Sequence, residues 1–159
     1  MKQYLALDIG GTFIKYALMG EDGSFLESGK VPSPVDSLDG LLAAVEAVGE
    51  RFRGQYQGAA VSMPGRIDTQ KGIAHTGGAF DFIRDTPVGE LFAARLGCPV
   101  KVANDGKCAA NAEAWTGALA DVADGAVLVL GTGTGGGIVL GHRIWMGDTF
   151  AAGELSFLP

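Results

Sequence analysis

The feature that most constrains the fold is a sequence pattern that occurs twice: an apolar strand, a glycine-rich turn and a second apolar strand. The first copy reads LALDIGGTFIKYALMG near the start, and the second reads LVLGTGTGGGIVLG near the end of the 159 residues. Glycine-rich turns have two common explanations, a tightly packed hairpin or a backbone that approaches an anion closely. An internal repeat predicts two similar structural units, so the chain is expected to contain two β-hairpins of one kind.

The order of the other predicted elements indicates the fold class. Apolar runs separated by turn residues predict an antiparallel meander of three strands, which ends at Pro32 and Pro34. Apolar residues at intervals of three and four then predict a helix, capped by Asp36 or Ser37. Further elements are predicted in this order: a strand in GAAVSMPG, a loop through HTGGAFDF, a helix over residues 88–97 ending at Gly97, a strand in PVKVA, and a helix beginning at Asn104 or Asp105.

A meander followed by alternating helices and strands is typical of a ribonuclease-H-like (actin-like ATPase) lobe, an α/β fold with a mixed sheet. A doubly wound Rossmann sheet would begin with a βαβ unit instead. Residues 1–119 are predicted to form this first lobe, and residues 120–159 are predicted to form the opening strands of a second like lobe that is truncated. A half-built lobe exposes apolar strand edges, so a homodimer is an open alternative.

Composition excludes several classes of partner. The chain is 47% hydrophobic, so it has enough apolar residues for a core, and its formal net charge is -6 with no cluster of Lys or Arg. These features argue against nucleic acid as a partner. No apolar run approaches a membrane span and no leader precedes the first strand. Cys98 and Cys108 lack metal-ligand spacing and are typical of reduced thiols. We therefore expect a cytoplasmic protein without a membrane partner.

The residues of the two glycine turns suit a nucleotide phosphate. Glycine lets the backbone N–H groups approach an anion, Thr12 adds a hydroxyl, and a carboxylate at the strand end suits Mg²⁺ and its water shell. The second turn contains a GxGxxG motif, but the sequence that follows it has the composition of a strand, whereas a dinucleotide site requires a helix there. The candidate phosphate and magnesium residues are Asp8, Gly10, Gly11, Thr12, Thr132, Gly133 and Thr134.

The segment VANDGKCAANAEAW supplies a candidate general base. A strand that ends in Asn104-Asp105 places a carboxylate at the start of a helix, where it could accept a proton from a sugar hydroxyl that attacks the γ-phosphate. The alternative is a plain helix N-cap, because Asn and Asp are favoured caps. Two phosphate turns in the same chain favour the catalytic interpretation of Asp105.

Other conspicuous side chains are expected to be structural. His75 and His142 have no partner at ligand spacing, so both are predicted to be structural or solvent-facing. The two tryptophans, Trp115 and Trp145, are expected to pack rather than to stack on a sugar. The last helix is predicted to bury one stripe, which consists of Cys108, Ala112, Trp115 and Leu119.

With these residues assembled, the sequence resembles the ROK family of bacterial sugar kinases and related repressors. The motifs that carry the resemblance are DIGGTFIKYAL, SMPGRID, VANDGKCAANAEAW, LGTGTGGGIVL and AAGELS, and together they span nearly the whole chain. The resemblance implies ATP-dependent phosphorylation of a hexose-type sugar. It implies Asp105 as the base, sugar contacts from Asn104 and Glu154, a sugar pocket lined by Gly65 and Gly78, and Mg-ATP held by the two glycine turns.

One departure from the family pattern concerns zinc. Members of the family commonly have the motif GExGH followed by a cysteine cluster, and the His of this motif binds both the sugar and a structural zinc. Here Glu154 is followed by Leu155, Ser156 and Phe157, so no zinc ligand stands at that position. We therefore expect no structural zinc.

Two other functions remain as alternatives. A sugar-responsive repressor of the family would carry a helix-turn-helix ahead of the first glycine turn, whereas this sequence reaches its first strand at residue 3. A non-catalytic sugar-binding module is the second alternative, and Asp105 argues against it. The sugar itself stays open among glucose, a β-glucoside and N-acetylmannosamine, because hydroxyl contacts cannot be counted from sequence.

Overall fold

A computed structural model describes residues 1–131 and 133–157 of the chain. The backbone contacts divide the chain into two compact units, Met1–Ala103 and Asn104–Pro159. The sequence predicts a lobe boundary after residue 119, which lies further along the chain than this division between residues 103 and 104. The assignment of the lobes stays a prediction. Thr132 of the second turn lies outside the described residues, as does Pro159 at the end of the chain.

The first unit is built on the predicted meander. Its strands and helices are β1 (Gln3–Ile9), β2 (Phe13–Gly20), β3 (Phe25–Pro32), α1 (Leu38–Arg51), β4 (Ala59–Met63), β5 (Ile67–Asp68), β6 (Ile73–Thr76), β7 (Arg84–Thr86), α2 (Val88–Leu96) and β8 (Val100–Asn104). The main sheet has the order β3-β2-β1-β4-β8. Antiparallel pairs join β1 to β2 and β2 to β3, whereas β1 and β4 are parallel. The sheet is therefore mixed, as the sequence predicts.

Helix α1 covers this sheet through the predicted apolar face. Leu41, Leu42, Val45 and Val48 are all buried, since residues at intervals of three and four share one side of a helix. The Ser37 hydroxyl caps the helix and accepts a hydrogen bond of 3.2 Å from the N–H of Gly40. The predicted start of the helix is thus confirmed.

A second, small sheet was missed by sequence analysis. Strands β5, β6 and β7 form it in that order, and β6 includes His75 and Thr76, which were predicted to lie in a loop. That prediction is wrong for these two residues because strands of two to four residues are too short to show an alternation. The rest of the predicted loop, from Gly77 to Phe82, does connect β6 to β7.

The second unit contains one helix and a three-stranded antiparallel sheet. Its elements are α3 (Asp105–Thr116), β9 (Gly125–Leu130), β10 (Thr134–Leu140), β11 (Arg143–Trp145) and a short 3-10 helix over Leu155–Phe157. The sheet order is β11-β10-β9, and β9 pairs antiparallel with β10 across the second glycine turn. The second predicted hairpin is confirmed.

The buried face of α3 differs from the predicted stripe. The helix ends at Thr116, before Leu119, and its buried residues are Gly106, Lys107 and Ala110. The side chains of the two tryptophans expected to pack are exposed, Trp115 by 57% and Trp145 by 53%. The reason is that α3 packs on β10 at a run of glycines, so small residues rather than large apolar ones form the contact.

No helix among the described residues is long and apolar enough to cross a membrane.

Candidate active site

The first glycine turn follows β1, and the carboxylate of Asp8 is fixed just before it. Asp8 Oδ1 accepts a hydrogen bond of 2.9 Å from the Ser62 hydroxyl on β4, and Asp8 Oδ2 lies 3.2 Å from the Lys15 ammonium on β2. The carboxylate remains 46% exposed. Sequence analysis missed this pair, although the hairpin register sets Asp8 opposite Lys15.

The backbone of this turn carries N–H groups of the kind that could bind an anion. Gly10 donates its N–H to the carbonyl of Phe13 at 3.0 Å, which closes the turn. The N–H groups of Gly11 and Thr12 donate to no described residue. A Cβ on Gly11 would lie 3.1 Å from Cβ of Ala79, a tight contact, so glycine lets the turn lie this close to the loop that follows β6 without a shift of that loop. Within the described part of the chain, the first unit thus has two amides without a hydrogen-bond partner beside a half-exposed carboxylate.

Gly65 and Gly78, the predicted pocket-lining glycines, are required by the backbone. Both have a positive φ, 104° for Gly65 and 60° for Gly78, a region that side-chain-bearing residues rarely adopt. A Cβ on Gly65 would collide with the carbonyl of Thr76, and one on Gly78 would lie 2.8 Å from Pro64. These glycines hold two loops of the first unit together, and their contact with a sugar stays a prediction.

The predicted base, Asp105, begins α3 and is held by its neighbours. Asn104 is the N-cap, and its Oδ1 accepts from the N–H of Lys107 at 3.1 Å. Asn104 Nδ2 donates to Asp105 Oδ1 at 3.0 Å, and the N–H of Gly106 donates to the same oxygen at 2.8 Å. Within the described part of the chain, the hydrogen bonds of Asp105 all fall on Oδ1. This leaves Oδ2 available to accept a proton from a ligand.

A cap and a catalytic carboxylate were alternatives at this strand end; the structure assigns the cap to Asn104, and the catalytic role of Asp105 stays a prediction. Asn104 is the cap, and it is only 4% exposed. Among the described residues the Asp105 side chain accepts from Asn104 Nδ2 and from the N–H of Gly106, so it is held by the cap rather than acting as one. A contact of Asn104 with a sugar hydroxyl stays a prediction.

Glu154 belongs to the same unit as Asp105. Its backbone N–H donates to the carbonyl of Ala151 at 3.1 Å, and its Oε1 accepts from the Ser156 hydroxyl at 2.8 Å. The side chain is partly buried. Glu154 is thus held as a hydrogen-bond acceptor, which suits its predicted contact with a sugar hydroxyl.

Lys107, in the first turn of α3, is a functional candidate that sequence analysis missed. It is only 3% exposed. Desolvation lowers the pKa of its ammonium, and the negative charges of Glu154 and Asp105 act in the opposite direction. A lysine at a helix N-terminus opposes the helix dipole, and this conflict was the signal available in the sequence.

The second glycine turn is open. Gly131 donates its N–H to the carbonyl of Gly133 at 3.0 Å, and a Cβ on Gly133 would meet nothing within 4 Å. Thr134 is exposed at the start of β10. Thr132, which was predicted to bind phosphate, lies outside the described residues.

The histidines form no metal site within the described residues. His75 Nδ1 lies 2.6 Å from Asp85 Oδ1, with the imidazole 28% exposed, and His142 is exposed in the turn after β10. Across residues 1–131 and 133–157, no group of three or more His, Cys, Asp or Glu side chains could hold a metal ion. The absence of zinc stays a prediction.

Comparison with known proteins places these features in a family. The sequence pattern of the ROK family matches residues 4–158. A beta-glucoside kinase from Klebsiella pneumoniae is 35% identical over 153 residues, which cover 96% of this chain and 51% of that protein. The chain therefore spans about half the length of the curated relatives that it matches.

Solved structures of the family share the fold. A ROK family glucokinase from Streptomyces griseus in complex with glucose and AMPPNP superposes with a TM-score of 0.87 at 30% identity, covering 96% of this chain and 49% of that one. A ROK family transcriptional regulator, a homolog of the E. coli MLC protein, gives a TM-score of 0.86 at 27% identity, covering 96% of this chain and 40% of that one. The predicted actin-like ATPase fold with its mixed sheet is confirmed.

Proposed function

The chain belongs to the ROK family, and we propose that it carries the sugar-binding and phosphate-binding parts of an ATP-dependent kinase for a hexose-type sugar. The observation that carries the proposal is the carboxylate of Asp105, whose Oδ1 is held by two donors while Oδ2 is left to a ligand. A relative that is a beta-glucoside kinase supports a sugar as the acceptor. The glucokinase complex with AMPPNP supports ATP as the phosphoryl donor.

Asp105 acts as the general base in this proposal. Its Oδ2 accepts the proton of a sugar hydroxyl while the hydroxyl oxygen forms a bond to the γ-phosphorus, and the bond from that phosphorus to the β,γ-bridging oxygen breaks as ADP leaves. The two hydrogen bonds to Oδ1 fix the carboxylate plane, so the proton acceptor is oriented before the sugar binds. Asn104 and Glu154 bind further sugar hydroxyls, and the loops held by Gly65 and Gly78 line the pocket.

The glycine turns hold the phosphates. The unpaired N–H groups of Gly11 and Thr12 bind phosphate oxygens in the first unit, together with the closing turn at Gly10. In the second unit Thr132, Gly133 and Thr134 do the same. Gly133 favours this role because nothing stands within 4 Å of where its side chain would be.

Asp8 fits a magnesium ion held through water. Mg²⁺ in kinases keeps several waters and binds one or two carboxylates together with substrate phosphates, and Asp8 is a single, half-exposed carboxylate at the end of a strand. Bound there, the ion would neutralise developing charge on the phosphates. Ser62 and Lys15 hold the Asp8 carboxylate in place from either side.

A sugar-responsive regulator is the second candidate function, since a regulator of the family shares the fold at a TM-score of 0.86. Turnover distinguishes the two, because a regulator binds sugar without consuming ATP.

The test is a coupled ADP-release screen across sugars, run on the 159-residue chain and on the product of the whole gene. We expect turnover from the whole gene product. From this chain alone we expect weak sugar binding and little turnover, because phosphoryl transfer depends on precise positioning.

The decisive variant is Asp105→Asn, which removes the proton acceptor and nearly preserves the shape. Turnover should fall by about 10²-fold or more, while the sugar dissociation constant measured by calorimetry changes little. Asp121→Asn is the matched control, since Asp121 is exposed in a turn of the same unit. Undiminished turnover by Asp105→Asn would remove this residue from the mechanism, and absence of turnover with every sugar would favour the regulator.

A further inference from the structure

A row of four polar residues crosses the main sheet of the first unit beside the glycine turn. The strand registers set Lys30 on β3 opposite Lys15 on β2, Lys15 opposite Asp8 on β1, and Asp8 opposite Ser62 on β4. Residues directly opposite each other on neighbouring strands share one face of a sheet. The four side chains therefore lie side by side on one face, and the row includes the residue two places before Gly10.

This face of the sheet points away from the hydrophobic core. The residues that alternate with the row along β1 and β2 are buried in the core, namely Leu7, Ile9, Ile14 and Tyr16. The Lys15 side chain is 69% exposed, and Lys30 is exposed as well. The two ammonium groups are therefore accessible to a ligand in solution.

The row has one ammonium group more than it has carboxylates. Asp8 Oδ2 lies 3.2 Å from the Lys15 ammonium. The Lys30 ammonium lies 4.4 Å from the centre of the Phe13 ring, and it forms no ion pair with a described residue. The neighbours two places along each strand on this face are uncharged: Ala6, Phe13, Ala17, Ser28, Pro32 and Ala60. The row is thus a local excess of positive charge in a chain whose formal net charge is -6.

Two lysines at directly opposite positions are unfavourable in the free protein. Cβ atoms at such positions are about 5 Å apart, and like charges there destabilise a sheet. In the turn that follows β1, the N–H groups of Gly11 and Thr12 donate to no described residue. An anion bound at these amides would bring negative charge next to the row, so binding would remove the repulsion between Lys15 and Lys30.

We propose that Lys15 and Lys30 extend the phosphate site of the first glycine turn and bind the triphosphate chain of the nucleotide. This inference rests on the proposed function, in which the turn holds phosphate. Lys15 is the direct ligand, because its ammonium can exchange the Asp8 carboxylate for a phosphate oxygen. Lys30, on the next strand, adds electrostatic attraction.

The test is isothermal titration calorimetry of the 159-residue chain with inorganic tripolyphosphate, in EDTA so that no magnesium takes part. Lys15→Met should weaken binding by about tenfold, since a hydrogen bond to a charged group contributes about that factor. Lys15→Arg keeps the charge and the donors and should bind within about threefold of the parent. Lys30→Met should weaken binding by about threefold, and this effect should vanish at high salt. Lys101→Met, at an exposed lysine on β8, is the matched control and should change binding by less than about twofold.

Asp8→Asn distinguishes a phosphate ligand from a lysine that only holds Asp8. In the parent, the Asp8 carboxylate competes with phosphate for the Lys15 ammonium, so Asp8→Asn should strengthen metal-free binding more when Lys15 is present than in Lys15→Met. Equal effects of Asp8→Asn in both backgrounds would show that Lys15 does not exchange partners.

Circular dichroism checks the folding of each variant, and Lys15→Gln replaces Lys15→Met if the latter does not fold. The proposal is overturned if the Lys15 variant binds tripolyphosphate as tightly as Lys101→Met does, or if the parent chain does not bind it at millimolar concentration. None of these measurements needs turnover. Turnover by the whole gene product with no effect of Lys15 on binding would refute this inference alone, whereas the expected binding without turnover would refute the kinase alone.

Discussion

The glycines of β10 lead to a quantitative prediction about packing in the second unit. A Cβ on Gly137 would lie 2.6 Å from Cβ of Ala110 on α3, whereas its next neighbours, the carbonyl O of Gly106 and Cα of Lys107, would be 3.5 Å away at ordinary contact distance. The clash in Gly137→Ala is therefore with a single methyl group. Because that methyl group is on a helix and has no rotamer to escape into, we expect a loss of about 1–3 kcal/mol in the free energy of unfolding.

The second substitution Ala110→Gly removes the opposing methyl group and should rescue the first. By itself Ala110→Gly should lower the free energy of unfolding by about 1 kcal/mol, since glycine is a poor helix former. Without the clash, Gly137→Ala should be neutral or slightly stabilising, because glycine within a strand loses more entropy on folding than alanine. The double variant should thus be more stable than the sum of the single changes predicts, by about 1–3 kcal/mol.

Urea unfolding of the four proteins, followed by circular dichroism, measures the coupling. Gly133→Ala is the control for a glycine-to-alanine change as such, since a Cβ there meets nothing within 4 Å, and its stability should stay within about 0.5 kcal/mol of the parent. Additive effects of Gly137→Ala and Ala110→Gly would refute the reasoning, because they would mean that α3 and β10 do not meet at this pair.

Three further predictions use other parts of the chain. Ser37→Ala should reduce the free energy of unfolding by about 1 kcal/mol in urea titrations, because it removes the α1 cap. Lys15→Met should reduce it by less than about 1 kcal/mol in the same assay, because the Asp8–Lys15 pair is exposed; a larger loss would contradict the assigned exposure. Elemental analysis should find zinc below one ion per chain, since Phe157 occupies the position of the family's His ligand, and a tightly held stoichiometric ion would show that motif to be misaligned.

The elements that sequence analysis located correctly are those with a local signal. The meander is marked by apolar runs and turn glycines, Ser37 marks the start of α1, and Gly97, with φ of 66°, marks the end of α2. Each signal lies within a few residues of the structure it determines. The Asn104-Asp105 pair was recognised for the same reason, because a strand end and a helix start meet there.

The features that were missed depend on partners distant in the sequence. The small sheet of β5, β6 and β7 has strands too short for a period to be counted. Lys15 meets Asp8 only because the hairpin register places them opposite each other. The burial of Lys107 depends on β10 and on the segment before Glu154, which follow it by some thirty to fifty residues. The conflict with the helix dipole marks Lys107 as unusual, but no local pattern around it shows that the side chain is buried.

We propose that the two explanations of the glycine turns, packing and phosphate, apply to different glycines of one motif. In the string GTGTGGG, the part before β10 is open, since a Cβ on Gly133 would contact nothing. The glycines within β10 are closed, because Gly136 and Gly137 are buried against α3 and the segment that contains Gly153. A phosphate can reach only the open part. We therefore expect alanine at Gly133 to affect nucleotide binding without affecting stability, and alanine at Gly137 to affect stability first.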